Sequence, residues 1–268
     1  MTGRIVALSR HPVKGFTPEA LERVVLEAGV HFPGDRLYAV EDGPSGFDPA
    51  APAHIPKMRF TVLAKIPELA RAHTLYHDET GELTVTADGF PPFYGRLATA
   101  AGRAAFERWL AEFLEEQATE DSFGPLRVLE APAGHRFMDS RRGFVSILNL
   151  DSVRDLERRL GRPLDPARFR ANVQVEGWGA WREYGLTPGR RLRLGGAELA
   201  LLADVDRCLA THVDPRAGVR DIDVVGALRA EYGHICCGVY AEVIEGGAMA
   251  VGDEAQWRED VPAKGVLV

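Results

Sequence analysis

Two stretches near the end of the chain bring together side chains that could bind a ligand or carry out chemistry. The first runs from Arg207 to Asp214 and includes Thr211. Arginine can hold a phosphate, aspartate can accept two hydrogen bonds, and threonine can donate one. The same residues also fit a solvated strand end followed by a turn at Asp214-Pro215. Residue types alone leave a phosphate site and an ordinary turn as alternatives.

The second stretch contains the adjacent cysteines Cys236 and Cys237, flanked by Gly233 and Gly238. Glycines let the backbone approach a bound group closely, and a thiolate there could ligate a soft metal. It could instead act as a nucleophile with His234 nearby. Two buried thiols in a core strand are the third interpretation. The chain has no C-x-x-C pair, which argues against a structural zinc site.

Four further polar residues lie where they could contact an anion. Lys14 and Arg36 stand in glycine-containing turns, where side chain and backbone together can bind phosphate. Arg170 and Asn172 form an F-R-x-N sequence at the entry to an apolar strand. Ordinary solvation of surface charges is the alternative for each of them.

Composition excludes several classes of protein. The chain has 268 residues, with 32 Lys plus Arg against 39 Asp plus Glu, a net charge of −7 that argues against a general nucleic-acid binder. Three cysteines cannot ligate an iron–sulfur cluster alone, and without a signal peptide they indicate reduced thiols in the cytoplasm. No apolar run is long enough to span a membrane. The glycine-loop nucleotide, serine-hydrolase and zincin motifs are missing.

Hydrophobic periodicity and turn residues predict the elements that must position these side chains. The predicted strands are 4–9, 36–41, 143–150 and 171–176. The predicted helices are 104–117, 152–160 and 224–232. The predicted hairpins turn at 78–81, 195–196 and 246–247. Residues 17–30 fit either a helix capped by Thr17 or a strand, because they are rich in β-branched residues. We also expect Asp151 to cap the second helix and Gly161 to end it.

Short strands with glycine turns and a few helices predict a β-rich α+β protein, barrel-like in architecture. The polar, turn-rich stretch from Glu120 to Gly124 is the best candidate for a boundary between two halves.

An ordered set of motifs across nearly the whole chain resembles the MOSC family, named after the C-terminal domain of molybdenum-cofactor sulfurases. The first half carries HPVKG, GDRLYAV, FDP and PKMRF. The second half carries DPARFRANVQVEG, RCLATHVDPRAG and YGHICCGVYAEVIEGG, followed by VGD. Each motif is weak by itself, whereas their order is specific. The resemblance implies a MOSC N-terminal β-barrel domain over 1–122 and a MOSC β-barrel domain over 123–268.

The resemblance further implies a molybdenum cofactor, a pterin that carries a phosphate, lying between the two domains. Relatives such as the mitochondrial amidoxime-reducing component ligate molybdenum through a cysteine and reduce N-hydroxylated substrates. Carried over to this chain, Cys237 is the expected metal ligand and catalytic residue, with Cys236 as the alternative, while Cys208 is expected to pack. The expected cofactor-binding residues are Lys14, Arg36 and Arg170 at the phosphate, Asn172 at the pterin edge, and Arg207, Thr211 and Asp214 completing the pocket.

Two functions follow from the resemblance. The first is a molybdenum-dependent oxidoreductase acting on a small N-hydroxylated molecule, with electrons from a separate donor of ferredoxin or flavin type. The second is a non-catalytic carrier of molybdenum cofactor or of persulfide sulfur on the Cys236–Cys237 pair. Neither function calls for a nucleic acid or a membrane as a partner.

Overall fold

The computed structural model describes residues 1–117, 124–141, 144–186 and 188–258. The strands of the first half are β1 (Thr2–Arg10), β2 (Glu19–Leu21), β3 (Arg23–Leu26), β4 (Tyr38–Asp42), β5 (His73–His77), β6 (Glu82–Ala87), β7 (Phe90–Arg96) and β8 (Leu126–Glu130). Those of the second half are β9 (Val145–Asn149), β10 (Val173–Glu176), β11 (Arg191–Leu194), β12 (Ala197–Asp206), β13 (Cys236–Glu245), β14 (Gly247–Ala250) and β15 (Glu254–Trp257). The α-helices are α1 (Ala100–Gln117), α2 (Leu150–Leu160) and α3 (Val224–Tyr232). Short 3-10 helices span Lys57–Arg59, Pro67–Arg71, Pro166–Phe169 and Leu209–His212.

Seven strands form a closed barrel in the order β10, β9, β13, β12, β11, β15 and β1. Strand β1 completes the ring because it pairs with β15 on one side and with β10 on the other. On the β10 side, Ile5 lies opposite Val175 and Leu8 opposite Val173. The first strand of the chain therefore closes a barrel whose other six strands come from the second half, and closure leaves none of the seven as a free edge.

Alternating apolar residues fill the barrel interior, as strand geometry requires. Val239, Ala241 and Val243 of β13 point inward with Leu199 and Leu201 of β12. Strands β9 and β10 run parallel, and α2 makes the crossover that a parallel pair needs.

The rest of the first half builds a second core beside the barrel. Helix α1 packs against β7 and β8, and its apolar face contributes Phe106, Trp109 and Phe113 to this core. The rings of Trp109 and Phe113 stack with centroids 5.3 Å apart. The 3-stranded sheet β5–β6–β7 lies against this helix, and β4 pairs with β8.

Several local predictions are confirmed. Helix α3 has the predicted bounds, and strands β11 and β12 meet at Gly195-Gly196. The turn at 78–81 joins β5 to β6. Gly161 ends α2 with a φ of 66°, which a glycine adopts readily.

Three local predictions need correction or resolution. Residues 17–30 form strands β2 and β3, and the Thr17 hydroxyl lies 3.3 Å from that of Thr74 instead of capping a helix. The cap of α2 is Asn149, which accepts a hydrogen bond from the Asp151 backbone N–H. The prediction that Asp151 caps this helix is therefore wrong by two residues.

The hairpin predicted around Gly246-Gly247 is also wrong. Strand β14 pairs with β3, with Met249 opposite Val24. Strand β13 pairs with β12 as far as Glu245 and with β9 over Val239–Ala241, whereas β14 runs along β3.

The predicted class, a β-rich α+β protein with a barrel, is confirmed. The boundary predicted between residues 122 and 123 falls within 118–123, outside the described residues, and stays a prediction. Among the described helices, none combines the length and the apolar character needed to cross a membrane.

Candidate functional site

A cavity of about 330 Å³ lies beside strands β12 and β13, and its wall carries more cations than carboxylates. The carboxylates that line it are Asp139, Asp204 and Asp206. The cations that line it are Arg36, Lys57, Arg168, Arg170 and Arg207. A smaller chamber of about 40 Å³ adjoins it, is lined by Lys14 and Gly15, and shares Arg36, Lys57 and Arg170 with the larger one. Residues far apart in the chain thus meet at one site, and the cations come from both halves.

Arg36 and Arg170 hold an unusual backbone conformation. Their φ angles are 48° and 52°, in the left-handed region that disfavours side chains with a Cβ. Among the described residues only Trp181 shares this feature outside glycine. Strain of this kind persists where the surrounding structure enforces it, and it concentrates at functional sites. Here it aims two guanidinium groups at one cavity.

The two arginines are held differently. Arg36 pairs with buried Asp35 and donates a 3.2 Å hydrogen bond to the Arg170 carbonyl. Burial opposes its charge, but Asp35 raises the pKa of Arg36 overall. Arg170 donates a 2.6 Å hydrogen bond to the Phe16 carbonyl. No described carboxylate lies within ion-pair distance of the Arg170 guanidinium group. Burial, and then the charge of Arg36, lower the pKa of Arg170 to about 10.

His11 supports Arg36 from behind. Its backbone N–H donates a 2.7 Å hydrogen bond to the Asp35 carboxylate, and its carbonyl accepts a 2.7 Å hydrogen bond from the Arg36 backbone N–H. Its imidazole is fully buried, and burial together with nearby Arg36 lowers the pKa of His11 to about 3. The ring is therefore neutral at physiological pH.

The loop after β1 contributes Lys14 and Gly15 to the lining of the smaller chamber. Lys14 is 3% exposed, and its ammonium group contacts the Phe137 carbonyl at 3.0 Å and the Asp139 carboxylate. Burial lowers the pKa of Lys14. Gly15 has a φ of 90°, and a Cβ there would lie 2.4 Å from the Thr61 carbonyl oxygen. Only glycine fits this turn.

Arg207 and Thr211 line the cavity, yet the protein already engages both of them. The Nε of Arg207 donates a 2.6 Å hydrogen bond to the Cys237 carbonyl, and its Nη1 donates a 2.7 Å hydrogen bond to the Phe169 carbonyl. The Thr211 hydroxyl donates 2.9 Å to the Cys208 carbonyl. Gly238 allows the approach of Arg207, since a Cβ there would lie 3.1 Å from its Nη2.

Asn172 and Asp214 do not line the cavity. Asn172 is fully buried. Its amide oxygen accepts hydrogen bonds from the Ser146 backbone N–H and hydroxyl, and its amide nitrogen donates a 3.2 Å hydrogen bond to the Ser9 carbonyl. It therefore ties β9 to β1. Asp214 accepts a 2.7 Å hydrogen bond from the Ala217 backbone N–H and a 3.3 Å hydrogen bond from Arg168. The bond from Ala217 lowers the pKa of Asp214. The cofactor contacts predicted for these two residues stay predictions.

The adjacent cysteines are also placed away from the cavity wall. Cys237 is 0% exposed and packs with Leu148, Val153 and Leu228, and burial raises its pKa to about 12. Cys236 is half-buried, and its thiol donates a 3.0 Å hydrogen bond to the Asp206 carboxylate. Burial and this carboxylate raise the pKa of Cys236 to about 12. Cys237 packs among apolar side chains outside the cavity wall, so this arrangement gives no support to metal ligation by Cys237. The raised pKa values disfavour the free thiolate that sulfur transfer by the pair would need.

The cysteine on the cavity wall is Cys208, which lines both chambers. It is partly exposed and precedes the short helix Leu209–His212. Cys208 packs against the Phe60–Phe137 cluster, as the sequence predicts, and it lines the cavity as well, which the sequence analysis did not anticipate. Its place between the site residues Arg207 and Thr211 is the signal that could have identified it.

Sequence reasoning also missed Lys57, Asp139 and Tyr240 on the same wall. Burial lowers the pKa of Lys57, but Asp139 and then the Cys208 thiol raise it overall. Burial raises the pKa of Tyr240, so its hydroxyl keeps its proton. Lys57 lies in the quoted PKMRF motif, whereas nothing in the local sequence distinguishes Asp139 or Tyr240.

Family comparison matches the two parts of the chain separately. The model of the MOSC N-terminal beta barrel domain matches residues 2–122, and that of the MOSC domain matches residues 134–256. Over 75 residues the chain is 33% identical to mitochondrial amidoxime-reducing component 1 of Mus musculus. That match spans 28% of this chain and 21% of the mouse protein, so it concerns a minor part of either.

Solved structures show weaker likeness. The YUAD protein from Bacillus subtilis aligns over 95% of this chain and 94% of its own, with 16% identity and a TM-score of 0.45. YiiM from Geobacillus stearothermophilus aligns over 50% of this chain and 67% of its own, with 18% identity and a TM-score of 0.33.

Proposed function

The chain belongs to the MOSC family, and from that premise we propose that its cationic cavity binds a molybdenum–pterin cofactor. We further propose that the loaded protein reduces small N-hydroxylated molecules with electrons from a separate donor of ferredoxin or flavin type. One observation carries the proposal. A thiol, Cys208, shares a cavity wall with the half-buried Arg170 and the buried Arg207, neither of which has a described carboxylate within ion-pair distance.

The donor set fits the phosphate of such a cofactor. Buried cations are costly unless an anion or hydrogen-bond acceptors compensate them. Arg36 and Arg170 lie close enough for one to depress the pKa of the other. A phosphate between them would relieve this repulsion and could accept paired hydrogen bonds from the guanidinium groups. Lys14 and the Gly15 backbone would contact the same anion in the smaller chamber.

The donor set also fits a soft metal, because a cysteine sulfur is a preferred ligand of such ions. We assign this role to Cys208 in place of Cys237. The Cys237 thiol would have to leave an apolar cluster to reach the cavity, whereas Cys208 already faces it. Arg207 would line the site beside Cys208, and Asn172 and Asp214 would support the wall without touching the ligand.

When bound, the cofactor would supply the two-electron chemistry, and the protein would bind, orient and protonate the substrate. Reduction of an amidoxime to an amidine consumes two electrons and two protons, breaks the N–O bond and releases water. Tyr240 keeps its hydroxyl proton on the cavity wall and can donate a hydrogen bond to the substrate oxygen. The electrons come from the separate donor protein.

Metal and pterin analysis tests the proposal. Protein from a host that makes the cofactor should contain molybdenum and fluorescent pterin. Cys208→Ala should lose molybdenum, and Cys237→Ala should retain it. Loss of the metal only from Cys237→Ala would reverse the ligand assignment. Loaded protein supplied with a reduced dye should convert an amidoxime to the amidine, and no turnover across several N-hydroxylated substrates would leave a binding protein without the reductase activity.

A further inference from the structure

Asp139 places a carboxylate inside the cation cluster that we assign to a phosphate. Its carboxylate contacts the Lys14 ammonium group and lies 3.9 Å from that of Lys57. Burial would raise the pKa of Asp139, but Lys14 and then Lys57 lower it well below its usual range. Asp139 lines both chambers of the cavity. An internal anion therefore stands where an anionic ligand would bind.

The surroundings allow this carboxylate to leave without a change of backbone. The Asp139 side chain is 47% exposed, although its partner Lys14 is 4% exposed. Its backbone is attached separately, since the Asp139 carbonyl lies 3.3 Å from the His54 ring nitrogen. Lys14 also keeps its contact with the Phe137 carbonyl if Asp139 turns away. Because the side chain is already half exposed, the carboxylate can move toward solvent while the backbone contact stays in place.

The Asp139–Lys14 ion pair compensates a buried positive charge when no ligand is bound. A buried ammonium such as that of Lys14 is strongly disfavoured unless an opposite charge compensates it. The wall already contains Arg170 and Arg207 without a described carboxylate partner. Asp139 compensates Lys14 and Lys57 until an incoming anion takes over that task.

We propose that Asp139 is a displaceable internal counterion that a dianionic phosphate group must replace at Lys14 and Lys57. It thereby selects for a phosphate dianion over singly charged anions, because a carboxylate of equal charge gains nothing by replacing another. The inference rests on the proposed function, in which the cofactor carries such a phosphate. It assigns a selectivity role to a residue that does not itself hold the ligand.

Competition of this kind weakens the apparent affinity. The apparent Kd equals the intrinsic Kd divided by the fraction of molecules whose site is free. If Asp139 occupies the cluster in about nine-tenths of the molecules, the apparent Kd of the anion is about tenfold higher than the intrinsic one. Removal of the carboxylate should recover that factor. Removal of a residue that holds the ligand should do the opposite.

Calorimetric titration with inorganic phosphate at pH 8, where the dianion predominates, tests the inference in cofactor-free protein at constant ionic strength. Asp139→Asn should bind phosphate about tenfold more tightly than the wild type. Asp139→Glu keeps the charge and should remain within about threefold of the wild type. Asp139→Ser provides a second neutral variant in case the amide disturbs folding. The matched control is Asp42→Asn, which breaks the Asp42–Lys65 pair outside this cavity and should leave phosphate binding unchanged.

The outcomes separate the two proposals. Equal or weaker binding by both neutral variants, with binding still abolished by Arg170→Ala, overturns the counterion role and leaves the phosphate site standing. Absence of phosphate binding in the wild type and in every variant overturns the phosphate site together with the counterion. Equally tight binding of formate and phosphate by the wild type contradicts the selectivity.

Discussion

Arg207 and Cys237 are joined through the backbone of the cysteine. The Arg207 Nε donates a 2.6 Å hydrogen bond to the Cys237 carbonyl oxygen, and Nη2 donates to the same oxygen. The thiol of Cys237 lies in the apolar cluster beside α2 and α3, away from the cavity wall. The residue expected to ligate a metal thus serves the site by fixing an arginine.

Arg207→Lys should destabilise the fold, because a lysine ammonium cannot reproduce the paired contacts of a planar guanidinium. We expect a loss of about 2 kcal/mol in the free energy of unfolding, since buried acceptors lose charged donors. Urea denaturation measures it. The exposed Arg158→Lys provides the control and should change stability by less than about 0.5 kcal/mol. Equal stability of both variants would contradict the role given to Arg207.

The three thiols should differ in their reaction with iodoacetamide at pH 7.5. Cys208 should be alkylated first because it faces the cavity. Cys236 and Cys237 should react far more slowly, since burial raises the pKa of both to about 12. Peptide mass spectrometry of briefly treated protein distinguishes them, and urea-unfolded protein should label at all three. Early labelling of Cys237 would show that its thiol reaches solvent.

Glu183 should make stability depend on pH. It is 1% exposed and accepts hydrogen bonds from Asn149 and Ser152, and burial raises its pKa. A carboxyl whose folded pKa is raised favours the protonated form. The free energy of unfolding therefore falls as pH rises from the unfolded pKa through the folded one.

Glu183→Gln should remove this slope and gain stability relative to the wild type between pH 4.5 and pH 7.5. Urea denaturation at both values measures the difference. Glu112→Gln, an exposed change on α1, is the control and should follow the wild type at each pH. A constant difference between Glu183→Gln and the wild type would refute the pH effect.

Two substitutions at Arg170 should separate backbone strain from anion binding. Arg170 has a φ of 52°, so Arg170→Gly should be more stable than Arg170→Ala by about 1 kcal/mol. Both variants should lose phosphate binding because both lack the guanidinium group. Thermal unfolding and calorimetric titration give the two quantities. Equal stability of the variants would show that the surroundings do not enforce the left-handed conformation.

Local sequence determined the elements whose signals are short-range. The bounds of α3, the glycine that ends α2 and the turn at Gly195-Gly196 follow from propensities and turn chemistry within a few residues. The charges of Lys14, Arg36 and Arg170 were visible as candidates, although nothing local required them to meet.

Tertiary structure decided which cysteine faces the cavity. Strict alternation would place Cys237 on the same face as Val239, Ala241 and Val243. Those three fill the barrel, whereas Cys237 packs outside it with α2 and α3. Gly238, with a φ of 84°, interrupts the alternation between them. The close approach of Ile147 requires glycine here, because its carbonyl oxygen would lie 2.5 Å from a Cβ.

The site itself is a product of distant pairings. Strand β1 sets the position of the Lys14 loop because it pairs with β10 and β15, which lie far along the chain. Lys57 and Asp139 reach the same cavity from loops that share no local pattern. The sequence by itself therefore determined the kind of chemistry available. Only closure of the barrel decided that Cys208, and not Cys237, shares a wall with the cations.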